Sequence, residues 1–128
     1  MTRTHVVVLA GLLTAWPAFA ADEFDSALKE ARANEVTAAG RAYEGPLYET
    51  LGPALQRAMQ QCFPASEPAA GTKFTIVVAI LETGDLARSM VQPESAATAC
   101  VVHTIDTVRV ASPPRPNWWV VIGIKIMP

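Results

Sequence analysis

Few side chains in this sequence are spaced for chemistry, and the best-placed set is His103, Asp106 and Arg109. A spacing of three residues places them on one side of a helix, where an imidazole oriented by a carboxylate could act as a general base. No serine or cysteine nucleophile motif accompanies them. We therefore expect these residues to pair with one another on a helix surface, and the sequence predicts neither an enzyme nor a catalytic residue.

Metal-binding, phosphate-binding and acid–base motifs are also missing from the sequence. The two histidines are His5 and His103, and neither a His-Glu-x-x-His nor a Cys-x-x-Cys spacing occurs. Glu82 and Asp85 flank Gly84, where carboxylates commonly cap a turn in water. The seven glycines are scattered rather than gathered in a phosphate-binding loop. We expect no bound metal and no cofactor.

Cys62 and Cys100 are the only two cysteines, so one intramolecular disulfide is available. An oxidising compartment favours this bridge over a metal site or a catalytic thiol. Closing a loop of this size stabilises a fold by roughly 3 to 4 kcal/mol in the chain-entropy account. The alternative is a pair of reduced thiols packed as small apolar side chains.

The first twenty residues have the three parts of a secretory signal peptide. Arg3 lies in a short first region, Val6–Trp16 is mostly apolar, and Ala18 and Ala20 are the small residues that a signal peptidase reads. An uncleaved membrane anchor is the alternative, but the apolar run is shorter than the roughly 20 residues that span a bilayer. We expect cleavage after Ala20, export, and no membrane span in the mature protein.

Length and charge limit the function further. A chain of 128 residues, 51% of them hydrophobic, fits one compact domain and excludes a long disordered polymer. Ten Lys and Arg residues against twelve Asp and Glu residues give a net charge of -2. The protein therefore has no basic field that would attract nucleic-acid phosphates, and we expect no nucleic-acid binding.

Two helices are expected in the first half of the mature chain. Residues 22–39 are rich in alanine and charged side chains at helical spacing, and we expect Gly40 to end this helix. Residues 45–46, Gly-Pro, should separate it from a second helix that begins near Leu47 or Pro53. The second helix has a single apolar stripe, formed by Leu47, Leu51, Leu55, Ala58, Met59 and Cys62.

The second half changes to the two-residue period of strands. Residues 73–81 and 86–91 are expected to pair as a β-hairpin around a Thr-Gly-Asp turn. A helix led by Ser95 follows, then a connector with three prolines, then a last strand over residues 118–126. The predicted core between the strands and the second helix contains Phe74, Ile76, Ile80, Val120, Ile122 and Ile124 with Leu51, Leu55 and Met59.

The order of these features over residues 48–128 resembles the periplasmic C-terminal domain of TonB, TolA and their relatives. The resemblance rests on the Gly84 turn, on Cys100 in the helix led by Ser95, and on Pro113-Pro114 before a terminal apolar strand. It implies an α+β fold with a small three-stranded antiparallel sheet and helices packed on one face. It also implies a cell-envelope protein that recognises other proteins and performs no chemistry.

After the signal peptide over residues 1–20, the resemblance divides the chain into an N-terminal helical extension over 21–45 and a TonB/TolA-like domain over 46–128. TonB and TolA themselves resemble long rods with an uncleaved membrane helix, features that we do not find in this sequence. The resemblance therefore implies a stand-alone periplasmic copy of the terminal domain, whose partner is an envelope or periplasmic protein.

The partner-binding surface is expected on the last strand, at Trp118, Trp119, Val121 and Lys125. Adjacent strand residues point to opposite faces, so we expect one tryptophan in the core and the other exposed. An edge strand also offers unpaired backbone groups to an extended partner segment. One alternative is that the N-terminal helix or a second subunit covers that tryptophan, and another is that the edge forms a homodimer. A different function class is a small ligand-binding or inhibitory periplasmic protein whose cavity lies between the sheet and the helices.

Overall fold

The computed structural model describes residues 16–63 and 72–127, with side chains from residue 21 onward. Within these residues the chain is an α+β fold of three helices and one three-stranded antiparallel sheet, which confirms the predicted class. Most of the predicted signal peptide lies outside the described residues. The elements are α1 (Trp16–Glu35), α2 (Ala38–Cys62), β1 (Lys73–Ile80), β2 (Leu86–Gln92), α3 (Ala96–Ile105) and β3 (Trp118–Lys125).

β1 is the central strand of the sheet, whose strand order is β2-β1-β3. Every residue from Ile76 to Ile80 is buried, as expected for a strand that is covered on both faces. β3 pairs with β1 without a register shift along all eight of its residues. The last strand of the chain is therefore a regular edge strand, as predicted.

The β1–β2 hairpin turns at Gly84, also as predicted. This glycine has a φ of 87°, and a Cβ placed on it would lie 1.9 Å from the carbonyl oxygen of Val110, so only glycine fits. β2 is less regular than β3, because its register against β1 shifts between Val77 and Ala79 and Arg88 has a φ of 51°. This irregularity shortens the edge that β2 presents.

α2 and α3 pack on one face of the sheet and form the larger core. α3 begins after Ser95, whose hydroxyl accepts a hydrogen bond from the Thr98 N–H at 3.1 Å, while the Thr98 hydroxyl accepts one from the Ser95 N–H at 2.9 Å. The predicted core is confirmed on this face. Its buried members include Leu47, Leu51, Phe74, Ile76, Ile80, Trp118, Val120 and Ile122, with Leu55, Met59 and Ile124 half-buried beside them.

α1 packs on the opposite face of the sheet. Its small side chains Ala27 and Ala31, together with Phe24, form a second buried cluster with Val77, Ala79 and Trp119. The prediction of helices on one face therefore holds for α2 and α3, whereas α1 covers the second face. No helix in residues 16–63 or 72–127 is long and apolar enough to cross a membrane.

The predicted junction between the first two helices is wrong. α1 ends at Glu35, and Gly40 lies in the first turn of α2, where the Thr37 hydroxyl accepts a hydrogen bond from its N–H at 3.0 Å. A Cβ on Gly40 would lie 2.0 Å from the Asn34 carbonyl oxygen. The glycine is therefore needed for the close approach of α1 and α2, and it does not end a helix.

α2 continues through Pro46 and Pro53, where a break or a new start was expected. Each proline removes one hydrogen bond of the helix, which leaves the carbonyl groups of Ala42 and Glu49 without an amide partner. All four residues are exposed, so water can bond these carbonyl groups. The buried stripe on the other side of α2 is long enough to hold the helix together.

Candidate functional site

The candidate interaction site is the outer edge of β3, beside which the described residues place no further strand. The Ile126 N–H donates to the Thr72 carbonyl at 2.9 Å and so extends the β1–β3 ladder. In an antiparallel pair, successive residues turn their N–H and C=O groups alternately toward and away from the neighbouring strand. The even-numbered residues of β3 therefore bond to β1, and the odd-numbered residues of Trp119–Lys125 point their backbone groups outward.

The C-terminal turn of α1 covers the beginning of this edge. Asn34 is only 4% exposed, and its Nδ2 donates to the Trp119 carbonyl at 3.1 Å. Arg115 Nη2 in turn donates to Asn34 Oδ1 at 2.9 Å. A cavity of about 50 Å³ lies between the two helices and the first half of β3. The sequence did not predict Asn34 or Arg115 as site residues, because nothing local marks a contact between positions 85 apart.

The prediction of one exposed tryptophan is wrong, because both are buried. Trp118 is 3% exposed in the core under α2, and Trp119 is 7% exposed in the core under α1. They do point to opposite faces, as expected from strand geometry, but each face has its own helical cover. The guanidinium groups of Arg115 and Arg88 lie 4.9 Å from the ring centres of Trp118 and Trp119, respectively. The alternative in which the N-terminal helix covers the tryptophan is the correct one.

Val121 and Lys125 lie on the open part of the edge. The side chain of Val121 is half-buried against α1, whereas Gly123 and Lys125 on the same face are exposed. Lys125 is the register partner of Lys73, which is also exposed. No carboxylate lies within ion-pair distance of either lysine in the part of the chain that the structure describes. This end of the edge is therefore positively charged.

That Val121 and Lys125 contact a partner stays a prediction.

The other edge of the sheet borders a cleft of about 730 Å³ between β2, α3 and the N-terminal part of α1. By the alternation described above, Ser89 and Val91 turn their backbone groups toward it. The irregularity at Arg88 on one side, and Pro93 without an N–H on the other, limit this edge to a short stretch. Among the lining side chains are Phe24, Met90 and Val102, together with the carboxylates of Glu23, Glu94 and Asp106.

The structure does not bring together the three residues that the sequence offers for acid–base chemistry. His103 and Asp106 border the cleft, but Asp106 Oδ1 accepts a hydrogen bond from the Ser89 hydroxyl at 2.6 Å. Arg109 Nε donates to Asp85 Oδ1 at 3.0 Å. The expected pairing along one helix surface is therefore wrong, because α3 ends before Asp106 and the chain then turns toward the β1–β2 hairpin.

Asp85 stabilises the hairpin turn, as its position predicts. The Thr83 hydroxyl donates to Asp85 Oδ2 at 2.7 Å, and Arg109 bonds the other oxygen. These hydrogen bonds, that of Thr83 above all, hold the pKa of Asp85 below its usual value. The carboxylate is thus part of an exposed turn and not an acid–base group in a cleft.

Cys62 and Cys100 form the predicted disulfide, with their Cα atoms 5.7 Å apart. The bond joins the last residue of α2 to the middle of α3, so it links the two helices that cover the first face of the sheet. The structure therefore selects the bridge over the alternative of two reduced thiols.

The described residues contain no group of three or more His, Cys, Asp or Glu side chains that could hold a metal ion. Comparisons with family models, curated proteins and solved structures give no match to this chain. The resemblance to the TonB and TolA domains therefore stays a prediction, and the function has to be argued from the geometry of the site.

Proposed function

We propose that this protein is a secreted periplasmic interaction module that binds a cell-envelope protein by strand addition to the outer edge of β3. The observation that carries the proposal is the open backbone between Val121 and Lys125. Val121, Gly123 and Lys125 each direct an N–H and a C=O group outward, and these groups can be completed by an incoming strand. The proposal includes no enzymatic step and no cofactor.

The contrast between the two edges supports the choice of β3. β3 has no register shift, whereas β2 is interrupted at Arg88 and followed by Pro93. Irregular and proline-flanked edges are the features with which proteins prevent strand addition. The disulfide is compatible with an oxidising compartment such as the periplasm, and an exported chain would meet its partner there.

The test is a proline at the centre of the open edge. Val121→Pro removes one outward N–H, and the proline ring obstructs a strand that adds to the edge. The hydrogen bonds of β3 to β1 are kept, because they come from the even-numbered residues. Val91→Pro is the matched control, because it makes the same change at an outward position of β2. We expect Val121→Pro to weaken capture of the envelope partner about tenfold, the effect of roughly 1.4 kcal/mol.

The measurement is quantitative capture from an envelope extract, with each variant first shown to be folded by circular dichroism. The proposal predicts that Val91→Pro captures the same protein as strongly as the wild type and that Val121→Pro captures it about tenfold more weakly. A folded Val121→Pro variant that keeps every partner of the wild type would show that the interaction surface lies elsewhere.

A homodimer through the same edge is the competing outcome. Two β3 strands can pair about a twofold axis, which would give a continuous six-stranded sheet. Sedimentation equilibrium of the purified protein over a range of concentrations distinguishes the cases. A dimer that Val121→Pro dissociates would assign the edge to self-association, whereas a monomer leaves the edge for a different protein.

The cleft at β2 supports a second candidate, a small periplasmic ligand-binding or inhibitory protein. Its volume of about 730 Å³ lies in the usual range of ligand sites, and its lining combines apolar and acidic side chains. Ala99→Trp would place a large side chain at the wall of this cleft. Native mass spectrometry of protein purified from its own compartment tests this candidate: a copurifying ligand that Ala99→Trp removes would favour it.

A further inference from the structure

The geometry of the open edge points to the chemistry of the segment that it receives, an inference that rests on the proposed function. We infer that the segment runs antiparallel to β3 and carries an acidic residue opposite Lys125, an aromatic residue opposite Gly123 and an apolar residue opposite Val121. Its pairing stops before Trp119. In the direction of the partner chain, the pattern is acidic, any residue, aromatic, any residue, apolar.

The register of the incoming strand is limited at one end by Asn34. Its side-chain amide already occupies the outward carbonyl of Trp119, and Arg115 holds that amide in place from the other side. A strand that paired beyond Val121 would have to displace the buried Asn34 and leave its polar groups without partners. The partner segment is therefore short, and it cannot extend past Val121 toward Trp119.

Gly123 creates a notch in the open part of the edge. A Cβ built on this residue meets no heavy atom within 4 Å, and its register partner Thr75 is half-buried. The neighbours on the same face are Val121 and Lys125, so the notch has a side wall at each end. Aromatic side chains on an adjacent strand are suited to cover a glycine of this kind, because their rings fill the missing volume.

The charge at the far end of the edge selects an acidic residue. Lys125 and Lys73 are directly opposite each other in the β1–β3 register and both are exposed. Like charges in such a pair repel each other, and no carboxylate in the described part of the chain lies within ion-pair distance of them. A carboxylate on the added strand, directly beside Lys125, would relieve this repulsion.

The antiparallel direction is inferred because antiparallel pairing is slightly more stable per residue than parallel pairing. Lys125 is the last residue of β3, so an antiparallel segment places its acidic residue first and its apolar residue last. The apolar residue then lies beside Val121, where α1 already forms an apolar wall. An antiparallel segment of reversed order would place its carboxylate against this wall and its apolar side chain beside Lys125.

The experiment uses blocked synthetic peptides in which Asp, Tyr and Val alternate with threonines, and measures binding to the full folded protein by fluorescence anisotropy. The comparison peptides have the reversed order, Lys in place of Asp, or Gly in place of Tyr. We expect each mismatch to weaken binding about two- to fivefold, which is the change in affinity that a single cross-strand side-chain pair produces. Lys125→Glu should invert the preference between the Asp and Lys peptides, whereas Lys29→Glu, an exposed change on α1, should not.

The notch is tested with Gly123→Val, which the open space permits. This variant should bind the Tyr peptide two- to fivefold more weakly and leave the affinity for the Gly peptide unchanged. Equal binding of all peptides, abolished by Val121→Pro, would overturn the inferred pattern and keep strand addition. Failure of every alternating peptide to bind the wild type at millimolar concentration would overturn strand addition itself.

Discussion

At the residue scale, Asn34 shows how a single buried amide can limit an edge strand. It donates to the Trp119 carbonyl and accepts from Arg115, so both of its polar ends are satisfied although the residue is buried. Together these contacts hold the last turn of α1 over the beginning of β3. An edge that is half covered and half open is better suited to a short, specific segment than to uncontrolled aggregation.

Tyr43 leads to a prediction about alkaline pH. Its hydroxyl donates to the Ala111 carbonyl at 2.6 Å, and burial raises its pKa from 10.0 to about 12. Because the pKa is higher in the folded protein than in the unfolded chain, the stability that it contributes is complete below pH 10. That contribution is lost as the pH rises through 12.

We expect thermal denaturation of the wild type to show a falling melting temperature above pH 10, and Tyr43→Phe to show a shallower fall. Burial, and then the charges of Glu44 and Glu35, also raise the pKa of Tyr48, so the variant should keep part of the dependence. Equal slopes for the wild type and Tyr43→Phe would contradict the assignment to Tyr43.

At the scale of elements, the features that local chemistry determines were predictable. The Gly84 turn, the Ser95 cap and the alternation along β1 and β3 are each encoded within a few neighbouring residues, and the structure has all three. The stripe of α2 was also predictable. Its length was not, because Gly45-Pro46 is a local breaker whose effect is overcome by packing of the helix on the sheet.

The sequence alone did not determine that α1 covers the sheet face opposite α2 and α3. Phe24, Ala27 and Ala31 form only a weak apolar stripe, and which sheet face it covers depends on contacts with distant strands. The error about the tryptophans follows from this, since Trp119 has no buried environment without α1. The open part of β3 was predicted from its place as the last strand, but its limit at Asn34 was not.

The disulfide between α2 and α3 gives a prediction at this scale. Its loop of 38 positions corresponds to about 4 kcal/mol in the chain-entropy account. We expect Cys62→Ser to lower the free energy of unfolding by about 2 to 5 kcal/mol in urea titrations, and Cys100→Ser to give the same loss. Reduction of the wild type with dithiothreitol serves as the control without a mutation. A loss near zero for all three would mean that the α2–α3 contact does not depend on the bridge.

At the scale of the whole molecule, helices cover both faces of a three-stranded sheet, so residues 76–80 of the central strand are all buried. The described surface leaves two distinct sites, the regular edge of β3 and the cleft beside β2. The two sites lie at opposite edges of the sheet, because β1 separates β2 from β3. A partner on β3 would therefore not compete directly with a ligand in the cleft.

The last prediction concerns α1, which the sequence assigned to an extension outside the domain. Its Phe24 is 4% exposed in the second core, so Phe24→Ala should lower the free energy of unfolding by about 3 to 5 kcal/mol. Lys29→Ala, an exposed change on the same helix, is the control and should have an effect within about 0.5 kcal/mol. Urea titration of both variants provides the measurement, with tryptophan fluorescence as the signal. A loss for Phe24→Ala no larger than that of the control would show that the packing of α1 on the sheet adds little to stability, whereas the expected loss would make the helix an integral layer of the fold.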